Sequence, residues 1–124
     1  MDDVHFPPRE LAVMSVLWRL GPATVAEVRD ALEEDLAYTS VLSALQTLEQ
    51  KGYVAHEAEG RAYRYFALVP ADVAGRSAVA RIRDAIFHGS AERLLAQLIS
   101  DRGTSRAELE RMRRLLAERL KEDK

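Results

Sequence analysis

The sequence contains no cysteine. Disulfides and thiolate metal sites are therefore excluded, and cysteine usage says nothing about compartment. Histidine is scarce as well. His5, His56 and His88 lie far apart, and none shows the i, i+4 spacing of a helical metal site, so no metal is expected. No apolar run approaches the roughly 20 residues needed to span a bilayer. The start, MDDVHFPP, is acidic and lacks the apolar stretch of a signal peptide. A cytoplasmic protein without membrane insertion is the expectation. No nucleophile elbow, phosphate loop or zinc-protease motif is present, which argues against an enzyme and leaves no cofactor to assign. Internal repeats and low-complexity segments are also missing.

What is present is a chain of 124 residues, 48% of them apolar, enough for one core with an appended element. Leu, Ala, Glu and Arg dominate and favour helix. Pro7 and Pro8 lead into a helix over Arg9–Arg19, with Leu11, Met14, Val16, Leu17 and Trp18 on a wide apolar face; Gly21-Pro22 breaks it. Thr24-Val25-Ala26-Glu27 reads as a capping box opening a second helix, with Val25, Val28 and Leu32 as its stripe. Glu33–Ala37 forms the turn.

The stretch from Tyr38 to Leu68 carries the functional signal. Val41, Leu45 and Leu48 form an apolar stripe at helical spacing, while Thr39, Ser43, Gln46, Thr47 and Gln50 share the opposite face. A solvated face usually carries Glu and Lys. A face of hydroxyls and amides suits the approach to base edges, where Ser, Thr and Gln donate and accept. Gly52 is placed as a left-handed cap at the end of this third helix. Strands are then expected over Tyr53–Glu57 and Ala62–Ala67, with Gly60 in the turn. Tyr65 and Phe66 are assigned to packing, and Arg61 and Tyr63 to a phosphate backbone. Arg64 has Glu57 across the strands as an alternative partner. The outline is a recognition helix followed by a wing. Thr24 would bring a helix N-terminus towards a phosphate.

Charge opposes this reading. Up to Pro70 there are 6 Lys and Arg against 11 Asp and Glu, a net −5; the remainder has 12 against 9, a net +3. DNA-binding domains are ordinarily basic. Distribution matters more than the sum, and from Tyr38 to Gln50 the only acid is Glu49.

Beyond Pro70, helices are expected over Asp72–Phe87 and Ala91–Ile99, and from a cap at Thr104 or Ser105. Val79, Ile82 and Ile86, then Leu94, Leu95 and Leu98, then Leu109, Met112, Leu115, Leu116 and Leu120 form their stripes. With no second core of their own, these helices are expected to bury the stripes against another copy of the chain. The alternating Arg and Glu of the last helix read as a solvated, ion-paired face.

In order and spacing, these pieces resemble the BlaI/MecI family, the penicillinase and methicillin-resistance repressors. The carriers are Glu10-Leu11-Ala12-Val13-Met14 with Leu17-Trp18, Pro22 to Val28, Tyr38 to Leu45 with Leu48 to Gly52, Gly60 to Tyr65, and Phe87-His88-Gly89-Ser90 before Leu94-Leu95. The resemblance implies a mainly α fold with a small β-hairpin: a winged helix-turn-helix DNA-binding domain over 1–70 and a helical dimerisation domain over 71–124. It implies a homodimer that represses by binding double-stranded palindromic operator DNA. By position, Thr39, Ser40, Ser43 and Thr47 would face the major groove, with Tyr38 and Gln46 beside them, and Arg61 would sit on the wing. Arg9 is a further candidate for a phosphate.

Two departures stand out. Many relatives carry Arg where this chain has Thr47. Antibiotic-responsive members are inactivated through a membrane-sensor protease system that cuts an Asn-Phe bond near the second dimer helix; the corresponding stretch here is Gln97-Leu98. The resemblance implies a membrane metalloprotease-like sensor as a candidate partner, and the altered bond speaks against induction by the same cut. The cysteine-rich tail of copper-responsive relatives has no counterpart. Two other readings stay open at this point. One is a winged-helix protein-interaction module that never touches DNA, and the other is a small-ligand-responsive regulator.

Overall fold

The computed structural model describes residues 4–123; Asp2 and Asp3, two of the acids counted above, lie outside them. The chain forms α1 (Pro8–Leu20), β1 (Ala23–Thr24), α2 (Val25–Ala31), α3 (Tyr38–Gln50), β2 (Val54–Glu59), β3 (Ala62–Ala67), α4 (Ala71–Ile86), α5 (Ala91–Ile99) and α6 (Arg106–Glu122). It divides into two compact units, the first ending at Val79 and the second beginning at Ala80.

In the first unit, Pro8 occupies the first turn of α1, where its fixed φ suits a helix and its missing N–H costs nothing. Val13, Met14, Val16 and Leu17 are buried. Leu11, expected in this stripe, is 46% exposed. At 100° per residue it lies roughly 140° round the helix from the centre of the buried residues. Trp18 lies at the flank of the stripe and is half-buried, and its indole Nε1–H donates to the Val69 carbonyl at 2.8 Å. Val4 and Phe6, ahead of the first helix, join the core. The Phe6 ring meets Trp18 and Tyr53 edge-on, with centroids 6.0 and 4.9 Å apart.

The capping box forms as expected. Glu27 N–H donates to Thr24 Oγ1 at 3.2 Å and Thr24 N–H to Glu27 Oε1 at 2.9 Å. The helix it opens spans seven residues. Helix α3 buries Val41, Ala44, Leu45 and Leu48. It ends in a Schellman motif: Gly52 N–H donates to Glu49 O and Tyr53 N–H to Leu48 O, each at 3.0 Å, with Gly52 at φ 85°. That closure turns the chain directly into β2. Strands β2 and β3 pair antiparallel from Val54↔Ala67 to Glu59↔Ala62 across the Gly60 turn. Strand β1 pairs with the other edge of β3, giving the order β1-β3-β2. This third strand was not anticipated; two residues are too few to show an alternating pattern. Tyr65, on the central strand, is 2% exposed, in keeping with its assignment to packing.

The first unit continues past Pro70 because the opening turns of α4 pack on its core through Val73 and Ala74. Ser77 Oγ accepts from Val4 N–H at 3.1 Å.

The second unit holds the end of α4 with α5 and α6. Ser90 and Ser105 cap the latter two, each hydroxyl accepting at 3.1 Å from the amide three residues on. None of the described residues from Ala80 onward is buried.

Candidate nucleic-acid interface

The amphipathic sequence of α3 leaves one face free once Val41, Leu45 and Leu48 are packed. Tyr38, Thr39, Ser43 and Gln46 are exposed, while Ser40 and Thr47 are half-buried. A shallow depression of about 350 Å³ runs along this face. Thr39, Ser40, Ser43 and Thr47 line it with Arg9 and Glu10 of α1. Four expected residues thus line one surface, and the fold brings to it Arg9, the further phosphate candidate, which the local sequence of α1 cannot place beside position 47. Among the described residues, Arg9 has a single long salt-bridge contact, 3.9 Å, to Glu34. Gln46 is exposed outside the depression, on the same helix. The Tyr38 ring lies beneath the Arg29 guanidinium, 6.0 Å from its centroid.

One acid, Glu10, lines this depression, and Glu49 lies further round α3, towards β2; each has a partner within the protein. Glu10 accepts from Lys51 Nζ at 2.9 Å. Glu49 holds the Nδ1 of His56 between its two carboxylate oxygens, at 2.7 and 2.8 Å. Glu10 is thus matched at the helix face by a lysine, and Glu49 by a histidine that carries charge only when protonated. The Glu49–His56 contact was not anticipated. It joins the last turn of α3 to the second strand, and no local pattern signals it.

On the hairpin, Arg61 is exposed beside the Gly60 turn and has no salt-bridge partner among the described residues. Tyr63 is 52% exposed, its ring 4.6 Å from that of His56. Arg64 behaves differently. Glu57 is its cross-strand neighbour, yet the guanidinium binds Glu59 Oε2 at 2.7 and 2.9 Å, Glu27 Oε1 at 3.1 Å and the Pro22 carbonyl at 3.1 Å. Glu59 and Glu27 allow it to bridge the hairpin and the start of α2, which Glu57 would not. Its hydrogen bond and charge contact with Glu59 raise the Arg64 pKa above its ordinary value. The Glu27 carboxyl is held below its ordinary value, first by the Thr24 backbone N–H and then by the nearby Arg64 charge. Thr24 is thus committed to the capping box, with an acid beside it. The Tyr65 hydroxyl is pushed up by burial and then by the Glu49 charge, which keeps it neutral.

The dimerisation candidates are exposed in the single chain. Val79, Ile82, Ile86, Leu98, Leu109, Leu115, Leu116 and Leu120 all present open apolar surface, and Leu94, Leu95 and Met112 are half-buried. Gln97 and Leu98 lie within α5 and are exposed.

A helix face of hydroxyls and amides, followed by a hairpin whose turn carries an arginine with no salt bridge among the described residues, suits DNA. Comparison with known proteins agrees. Residues 7–118 match the Penicillinase repressor family. The chain belongs to that family. It is 39% identical over 116 residues to the transcriptional regulator BlaI of Mycobacterium tuberculosis, in two strains, covering 88% of this chain and 80% of the relative. Among solved structures, a MarR family protein from Bacillus stearothermophilus superposes with a TM-score of 0.56 at 20% identity, over 96% of this chain and 76% of the other. A mutant of Lactococcus lactis ZitR gives 0.50 at 14% identity, over 100% and 80%. These two likenesses concern the fold, which is the winged helix. This member of the penicillinase repressor family is a DNA-binding transcriptional regulator and not an enzyme. Among its described residues no helix is long and apolar enough to cross a membrane.

Proposed function

We propose that the protein is a homodimeric repressor acting in the cytoplasm on a palindromic operator. The observation that carries the reading is the α3 face, where Thr39, Ser40, Ser43 and Thr47 line one open surface and Glu10, the acid that lines it with them, is held by Lys51. Helix α3 enters the major groove of one half-site, and hydroxyls and amides read base edges there. Tyr38 and Gln46 flank that face. Arg61, with Tyr63 behind it, meets the flanking phosphates. Thr24 contributes by fixing the start of α2. The exposed stripes of α4, α5 and α6, from Val79 to Leu120, are buried against the same stripes of a second copy. Two coupled half-sites then offset the weakness of one nearly neutral contact through effective concentration. Division into a DNA-binding part over 1–70 and a dimerisation part over 71–124 belongs to the same proposal.

A mobility shift with DNA from upstream of the protein's own gene tests this. A specific complex with two protomers per duplex is expected, weakening steeply with salt. Absence of any specific complex at low salt would sink the reading. A membrane metalloprotease-like sensor is the proposed inducing partner, cutting between Gln97 and Leu98. Cleavage would require local unwinding of α5, whose last turn is closed by Ser100 Oγ donating to the Gln97 carbonyl at 2.8 Å. Mass spectrometry of induced cells should find a fragment beginning at Leu98.

A further inference from the structure

We propose that His56 is a positioning residue for DNA recognition, whose protonation neutralises Glu49 and so links operator affinity to pH. This rests on α3 being the reading helix. Glu49 is the only acid on that helix, and a carboxylate there repels a phosphate backbone. Its partner is a histidine. The nearby Glu10 is instead held by a lysine, which stays charged throughout the physiological range. Histidine changes charge between about pH 5 and 8.

The geometry sets one imidazole nitrogen against both oxygens of a carboxylate. The Nδ1 of His56 lies 2.7 and 2.8 Å from the two carboxylate oxygens, short for nitrogen and oxygen and in the range of charge-assisted hydrogen bonds. The imidazole is also packed between rings of β3, 4.6 Å from Tyr63 and 5.2 Å from Tyr65. From the elements packed against it, the titratable groups facing His56 are Glu49 on α3 and the two phenols on β3. Tyr65 stays neutral. Among the described residues, Glu49 is therefore the group facing His56 whose negative charge the ring can cancel. The contact also joins β2 to the end of α3, and a neutral ring with its proton on Nδ1 keeps it, so the titrating proton changes the field and leaves the geometry in place.

The sign follows from linkage. DNA favours the form in which Glu49 is neutralised, so binding takes up a proton and affinity falls as pH rises through the histidine range. The test uses the full chain and a duplex that it selects from a random-sequence pool, with binding followed by fluorescence anisotropy from about pH 5.5 to 8. Wild type is expected to lose roughly fivefold in affinity or more over that range, the lower end of ordinary coupling between sites. Glu49→Gln is expected to bind tightly at every pH. His56→Gln is expected to bind weakly at every pH, and the double variant to regain tight binding. Recovery in the double variant separates charge from folding, since a purely structural role for His56 would leave it weak.

A flat wild-type profile would overturn the proposal, and so would a full slope persisting in His56→Gln, which would belong to His5, His88 or the DNA. If Ser43→Ala and Thr47→Ala leave sequence preference untouched while the pH slope holds, the reading of α3 fails and the linkage stands. If no duplex is selected at any pH, both fall.

Discussion

At the scale of residues, the two wing arginines separate contact from architecture. Arg61 is exposed and has no salt bridge among the described residues, whereas Arg64 is committed to Glu59, Glu27 and the Pro22 carbonyl. Arg61→Ala should weaken binding to all duplexes alike and lower the salt slope by about one. Arg64→Ala should weaken binding while leaving the slope unchanged, because its charge is spent inside the protein. Affinities measured across a salt series check both; equal slopes in the two variants would refute the distinction. The capping box adds a pH effect on stability. The Glu27 carboxyl is depressed in the folded state, so its contribution is present above its ordinary value of 4.5 and lost as pH falls through the lower folded value. Melting temperatures of wild type should therefore drop more steeply than those of Glu27→Gln in that acid range.

At the scale of elements, the apolar stripes and glycine stops were legible from the sequence. Val41, Leu45 and Leu48 pack as their spacing requires, Gly52 closes α3 in the left-handed region, and Gly60 turns the hairpin. Gly52→Ala should cost about 1 kcal/mol, the penalty for a Cβ in that region, as read by denaturant unfolding. What stayed hidden were partnerships set by tertiary placement. Strand β1 is too short to show a period, and its pairing depends on β3, some forty residues later, with Ala23 opposite Tyr65. Glu49 and His56 sit on different elements, as do Glu10 and Lys51, so neither ion pair follows from helix spacing. The charge count consequently did not show which acids have partners. Leu11 misled for a simpler reason: a broad apolar run does not reveal which of its edges meets the core.

At the scale of the whole molecule, the two units differ in how completely they bury their apolar residues. The first has a core from Val4 to Ala74; the second, from Ala80 onward, buries no described residue in the single chain. Leu116→Glu, at a position 50% exposed here, should shift the protein from dimer to monomer in sedimentation and lower operator affinity by roughly a hundredfold or more, the loss expected when coupled sites are separated. A dimer that persists with unchanged affinity would place the interface elsewhere.

The sole tryptophan makes the two units separable by light. Trp18 is anchored in the first unit, between Phe6 and the Val69 carbonyl. Its emission should shift to the red when that core opens and stay nearly still when the proposed dimer separates. A monomerising substitution and a destabilising one, alike in their loss of repression, would then be told apart in a cuvette, without a label.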